Sequence, residues 1–243
     1  MHRTLSPLIY REGTAIVPSR VRHHWAQRQY VKRFLNGLEA DCVLDVGANI
    51  GGFGTELRLV GYQGLIISFE PDPECFTRLS RLTSKDPNWV ALNVALGSTE
   101  ESRGLNVMAA HVLNSFLPPS IEETKRLEGL NKVEKTVTVT VRTLDTMIHE
   151  LSGQYDFRRP YLKMDTQGFD VEVFKGASSV LSQFVGMQSE VSLKTIYEGA
   201  PTWREAIAVY EAAGFEVTAL YAVHPEATEL LDMDCYLVNR RRN

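Results

Sequence analysis

The sequence predicts an α/β fold, a doubly wound and mostly parallel sheet with an antiparallel edge, and three observations carry that expectation. From residue 41 onward, short apolar runs alternate with helix-patterned segments. The first run, 42–46, opens directly into the glycine turn Gly47-Ala48-Asn49-Ile50-Gly51-Gly52, and a helical pattern follows at 53–60. Strand, glycine turn and helix in that order bring a helix N-terminus and backbone N–H groups toward a ligand. The last two runs, 215–221 and 234–239, read as a closing antiparallel pair. At 243 residues the chain suits one such domain at 41–243, preceded by an N-terminal arm and helix at 1–40.

Within the first segment, residues 1–19 carry Pro7, Gly13 and Pro18 and read as an extended or irregular lead-in. A helix is expected at 20–38, where Val21, Trp25, Tyr30, Phe34, Leu35 and Leu38 fall near helical spacing. Its basic residues, Arg20, Arg22, His23, His24, Arg28, Lys32 and Arg33, form either a solvated face or a patch for an anionic lipid or phosphorylated substrate. Strands are then expected at 42–46, 64–70, 89–96, 104–109, 135–142, 161–165 and 185–191, the fifth β-branched throughout its Thr-Val repeat. Helices are expected at 53–60, 73–83 (proline at its first turn), 143–151, 170–181 and 202–213, the last stopped by Gly214. Residues 111–133 form a long excursion with a helical piece at 120–127, of the kind that serves as a lid.

Composition excludes several classes. Charged residues are 23% and apolar residues 44%, ordinary for a soluble globular chain, and the formal charge of −4 does not suit a nucleic-acid binder. Cys42, Cys75 and Cys235 have no metal-binding spacing and read as small buried hydrophobes in a reducing compartment. No apolar run reaches about 18 residues and no leader-type apolar stretch opens the chain, so the expectation is a cytoplasmic protein without stable membrane insertion.

Ligands of a doubly wound sheet sit at the carboxyl ends of the strands. There stand Asp45, Gly47, Asn49 and Gly51, then Glu70, Asn93, Lys163, Asp165 and Glu190. Glu70 lies 23 residues after Gly47 at the next strand tip, placed to accept hydrogen bonds from both hydroxyls of a ribose. Asn49 stands where a second glycine would complete a diphosphate cradle, which favours a ribose-bearing ligand without a diphosphate. S-adenosylmethionine is such a ligand, and Asp45 and the turn's N–H groups are expected to meet its ammonium and carboxylate. An NAD-dependent oxidoreductase and a non-catalytic Rossmann-like interaction module are the alternatives.

Three segments sharpen this: Asp45-Val46-Gly47-Ala48-Asn49-Ile50-Gly51, Phe69-Glu70-Pro71, and the run from Leu162 through Lys163-Met164-Asp165-Thr166-Gln167-Gly168-Phe169-Asp170 to Ala177. Together with Val141-Arg142-Thr143-Leu144-Asp145, they resemble the FkbM-type S-adenosylmethionine-dependent O-methyltransferases over about residues 41–195. The resemblance implies a Rossmann-like, seven-stranded sheet of the class I methyltransferase type. It also implies methylation of a hydroxyl in a sugar-containing small molecule or glycolipid. Asp45, Gly47, Asn49, Gly51 and Glu70 would contact the cofactor, with Asn93 to Ala95 near the adenine. Gln167 departs from the family pattern, which has an acid there.

A sugar hydroxyl is a weak nucleophile, so a base or a divalent cation such as Mg²⁺ must help remove its proton. Asp165 is the first candidate for base or metal ligand, or else a turn-forming aspartate. Glu190 can share the site or be an ordinary loop acid, and Lys163 can pair with either acid or lie on the sheet's other face. His111, and also His224, are alternative bases or solvated loop histidines. Asn114 and Ser115 can bind a substrate hydroxyl or cap a turn, and Asp170 is expected to cap the helix after it.

Overall fold

Strand β3 (Cys42–Val46) is fully buried and apolar but for Asp45, as a strand covered on both faces must be. The computed structural model that places it describes residues 9–12, 15–18, 22–223 and 229–242. Before it come the antiparallel pair β1 (Ile9–Glu12) and β2 (Ala15–Pro18) and helix α1 (Arg22–Gly37). The rest of the expected lead-in, the side chains of Arg20, Arg22 and His23, and His224 lie outside the described residues. After it come α2 (Gly52–Leu59), β4 (Leu65–Phe69), α3 (Pro73–Thr83) and β5 (Trp89–Leu92). The second half contributes β9 (Pro160–Met164), α6 (Asp170–Lys175), β10 (Gly186–Ser192), α7 (Trp203–Ala212), β11 (Phe215–Ala222) and β12 (Asp232–Asn239).

Seven of these strands form one sheet in the order β11-β12-β10-β9-β3-β4-β5. All pairings are parallel except those of β12, which runs antiparallel to β10 and β11. The closing pair is therefore antiparallel as expected, with the reversed strand one place in from the edge. The connections diverge at β3, leading to β4 on one side and to β9 on the other, and a ligand crevice belongs at that point.

The expected strand 89–96 is two strands. Asn93 breaks it, its Nδ2 donating to the carbonyls of Glu70 and Pro71 (2.8 and 3.1 Å). The second piece, β6 (Ala95–Leu96), leaves the main sheet. It joins β7 (Glu101–Met108) and β8 (Val133–Arg142) in a separate three-stranded sheet, order β6-β8-β7. Helix α5 (Leu144–Ser152) follows β8. The expected helix 170–181 is also shorter: α6 ends at Gly176, which lies so close to the Gly97 backbone that a Cβ there would overlap it.

One hydrophobic core packs α5, α6 and α7 on one face of the main sheet, and a second packs α1, α2 and α3 on the other. The excursion 111–133 holds a short 3₁₀ turn at His111–Leu113 and helix α4 (Ile121–Arg126). Among the described residues, no helix is long and apolar enough to cross a membrane.

Candidate active site

A cavity opens at the carboxyl ends of β3, β4 and β9. Its walls come from Gly47 and Asn49, from Glu70 and Pro71, from Val94 to Leu96, and from Asp165 to Gln167. The segment 111–116 roofs it. That roof is tied down at four points. Asn49 Nδ2 donates to the His111 carbonyl (3.0 Å), Asn114 Nδ2 to Asp72 Oδ2 (2.9 Å) and Ser115 Oγ to the Gln167 carbonyl (2.7 Å), while the Tyr197 hydroxyl meets the Leu113 carbonyl (2.9 Å).

Glu70 is buried against the glycine turn. Its Oε2 accepts the Asn49 N–H (2.7 Å) and its Oε1 the Asp72 N–H (2.8 Å). Loss of hydration pushes its pKa up to about 7, against the pull of those two N–H groups. Each carboxylate oxygen keeps a lone pair for a further donor.

The turn differs from its expected role. The N–H groups of residues 47 to 51 all have partners inside the protein: the Phe69 carbonyl for Gly47 and Ala48, Glu70 for Asn49, Asn49 Oδ1 for Ile50 and the Ala48 carbonyl for Gly51. The turn shapes the cavity instead of presenting free donors. Gly47, at φ +75°, sits against the Asp165 carbonyl where a Cβ would overlap it, so the tips of β3 and β9 close on each other only through a glycine. Asn49, at φ +51°, holds a left-handed conformation that asparagine tolerates. Gly51 faces Leu79 and Leu82 in the core, away from the cavity.

Asp45 does not open onto the cavity either. In register between Ser68 and Lys163, it is fully buried; Ser68 Oγ donates to its Oδ2 (3.0 Å), and Lys163 Nζ lies 3.0 Å from its Oδ1. Lys163 also lies 3.6 Å from Asp165 and near the carbonyls of Val46 and Gly47 (3.4 and 3.2 Å). Burial alone would lower its pKa, but Asp45 and Asp165 outweigh it and hold the ammonium charged well above its usual range. Lys163 is thus a fixed cation under the turn and has no lone pair for a proton.

Asp165 and Glu190 are brought together by a residue that sequence reasoning noted only as a departure. Gln167 Nε2 donates to both carboxylates, to Asp165 Oδ1 (2.9 Å) and to Glu190 Oε2 (2.8 Å), while its Oε1 meets the Tyr197 hydroxyl (2.9 Å). The carboxylates fix which way the amide faces, since an ionised carboxylate only accepts and the NH₂ end must meet it. An acid at this position would put three carboxylates in contact; the amide bridges two instead. Loss of hydration, then the charges of Asp165, Asp232, Asp234 and Asp170, push the Glu190 pKa well above the usual carboxylate range. Asp170 lies just inside α6 rather than capping it; it accepts from the Thr166 N–H, Ser189 Oγ and the Glu190 N–H, tying the tips of β9 and β10 together.

A divalent cation does not fit these residues. The gap between Asp165 and Glu190 holds N–H donors, and the described residues contain no group of three or more His, Cys, Asp or Glu side chains placed to share an ion. His111 sits in the roof, its Nδ1 buried without a partner. Asn93 holds the Glu70–Pro71 loop from outside the cavity.

A crevice at the point where the connections diverge, with a buried acid at the second strand tip, defines a doubly wound protein with its candidate ligand site at the strand ends. The chain belongs to the FkbM methyltransferase domain family, whose model matches residues 45–217. It is similar to hexuronic acid methyltransferase AglP of Haloferax volcanii, 27% identical over 67% of this chain and 61% of that protein, so it spans less than two thirds of that relative. It is also similar to methyltransferase sdnD of Sordaria araneosa, 28% identical over 72% of this chain and 74% of that one. Among solved structures, magnesium protoporphyrin IX methyltransferase from Synechocystis PCC 6803 is similar over 90% of this chain and 80% of its own, at 10% identity and a TM-score of 0.49.

Proposed function

We propose that this protein is an S-adenosylmethionine-dependent O-methyltransferase acting on a hydroxyl of a sugar-containing acceptor: a glycan, a glycolipid or a glycosylated natural product. The observation that carries the reading is the position of Asp165. It lines the cavity at the strand ends and also a second cavity beside it, and its side chain is 38% exposed. The named activity of the AglP relative supports a sugar-derived acceptor, and the net charge of −4 disfavours nucleic acid.

In this reading Glu70 binds the ribose hydroxyls, and the apolar slot between Pro71 and Val94 to Leu96 takes the adenine. The bound cofactor supplies an electrophilic methyl on a sulfonium. Asp165 accepts the proton of the attacking hydroxyl. Lys163 and the Gln167 amide hold Asp165 in place from two sides, fixing its direction before substrate arrives. Glu190 supports Asp165 through Gln167. The roof at 111–116 keeps water from the cofactor. The three free, buried cysteines suit the reducing cytoplasm.

Isothermal titration with S-adenosylmethionine tests the reading. Binding in the micromolar range is expected, and no heat at millimolar concentration would reject it.

A further inference from the structure

Register places a row of polar side chains across five neighbouring strands: Ser68 on β4, Asp45 on β3, Lys163 on β9, Gln188 on β10 and Tyr236 on β12. Side chains of paired residues point to the same face, and here it is the face packed by α1 and α2. The Ser68–Asp45–Lys163 part is explained by its ion pair under the glycine turn. The Gln188–Tyr236 part is not. There Gln188 Nε2 donates to Asp234 Oδ1 (3.0 Å), and Gln27 of α1 donates to Asp234 Oδ2 (2.5 Å) and to the Tyr236 hydroxyl (3.0 Å). Gln188 is only 4% exposed, and its Oε1 is buried without a partner, as is Nε of Arg28 on α1. A buried polar atom lacking a partner destabilises a fold by about 1–3 kcal/mol, so Gln188 Oε1 at the cavity wall is placed to take a hydrogen bond from whatever fills the cavity, water or ligand.

These residues line the second cavity, whose helix-side wall sets the apolar Val31, Phe53, Leu57 and Val60 beside the Arg28–Glu56 ion pair and His24. Asp165 stands at its end toward the cofactor cavity. Amides and a carboxylate on the sheet side, with Phe53 and aliphatic groups interleaved with an ion pair on the helix side, match a sugar ring, which has hydroxyls on its edge and C–H groups on its face. The family match covers 45–217, so Gln27, Asp234 and Tyr236 all fall outside it.

We infer that this second cavity is the acceptor pocket, and that Gln27, Gln188 and Asp234 read the hydroxyls neighbouring the one methylated. The inference rests on the sugar-methylating reading and adds the residues that choose the acceptor. The shared domain forms the cofactor half of the site and, through α2 and Gln188, part of the acceptor half, which α1 and β12 complete.

The test uses the full chain with S-adenosylhomocysteine bound and methyl glycosides of glucose, galactose, mannose and glucuronic acid as probes. Saturation-transfer NMR gives the glycoside affinity, and calorimetry gives the cofactor-product affinity of the same samples. At least one glycoside is expected to bind the wild type. Gln27→Ala and Asp234→Asn are each expected to weaken it by about tenfold or more, as loss of one buried hydrogen bond does, with S-adenosylhomocysteine affinity within about twofold. That retained affinity shows both variants folded; should one fail to bind it, the other carries the comparison. Equal glycoside affinity in wild type and variants overturns the pocket, as does the absence of any glycoside binding to a protein that holds S-adenosylhomocysteine. Glycoside binding that the variants abolish, with no methyl transfer on adding S-adenosylmethionine, leaves the pocket standing and removes the methylating reading instead.

Discussion

On the proposed reading, Glu70 should make cofactor affinity fall as pH drops through neutrality. Its carboxyl is pushed up to about 7 by burial, and only the ionised form can accept from both ribose hydroxyls while keeping the Asn49 and Asp72 N–H groups satisfied. Protonation of the free protein therefore competes with binding. The hydroxyls stabilise the ionised form, so the pKa falls in the complex and affinity is lost as pH drops. With a free-state value of about 7, the ionised fraction is ~0.9 at about pH 8 and ~0.1 at about pH 6, a loss of about tenfold in affinity. Calorimetric titration of S-adenosylhomocysteine across that range at constant ionic strength measures it. Glu70→Gln should flatten the profile and weaken binding at the alkaline end by about tenfold or more, because an amide turns a donor toward one of the two backbone N–H groups. A wild-type affinity constant within about twofold from about pH 6 to about pH 8 would show that Glu70 does not face the cofactor.

Three further outcomes test the surrounding structure. Asp165→Asn should leave cofactor affinity within about threefold and lower turnover by about 10²–10⁴-fold in steady-state assays, the usual contribution of a positioned base; a loss under about threefold would remove Asp165 from the chemistry. Lys163→Met should destabilise the fold by about 3–5 kcal/mol in urea unfolding, because fully buried Asp45 loses its counter-charge; a change below about 1 kcal/mol would contradict the buried ion pair. Gln167→Glu should lower the melting temperature at neutral pH by setting a third carboxylate between Asp165 and Glu190. Those contacts raise carboxylate pKa values in the folded state, so the loss is present above them and relieved as pH falls; calorimetric melts that shift equally at all pH values would oppose this reading.

Much of the frame was legible because it rests on period and punctuation. The runs at 42–46 and 73–83 match β3 and α3 residue for residue, since a buried parallel strand and a proline-started helix have strong local signatures. Residues 89–96 misled because two apolar runs flank Asn93, and its contacts with the Glu70 and Pro71 carbonyls are tertiary. The strand-tip residues were found by the rule that ligands gather at strand ends, but their division of labour was not. Asp45 and Gly51 carry a ligand-binding pattern, yet one is buried under Lys163 and the other packs on Leu79, because register and helix packing decide which way a side chain faces. Gln167 was visible only as a departure. Its bridge runs to Glu190 and Tyr197, both distant along the chain, and no local pattern announces those partners. The polar row from Ser68 to Tyr236 crosses five strands and emerges only from their pairing.

The most direct measurement is transfer of label from S-adenosylmethionine carrying a tritiated methyl group to a panel of glycans and glycolipids, followed by mild alkali. A hydroxyl acceptor yields a methyl ether, so label is expected to stay on the sugar through alkali and to disappear with Asp165→Asn. Label released by alkali would place the methyl on a carboxylate instead. No transfer to any sugar by a protein that binds S-adenosylmethionine would contradict the proposed function outright.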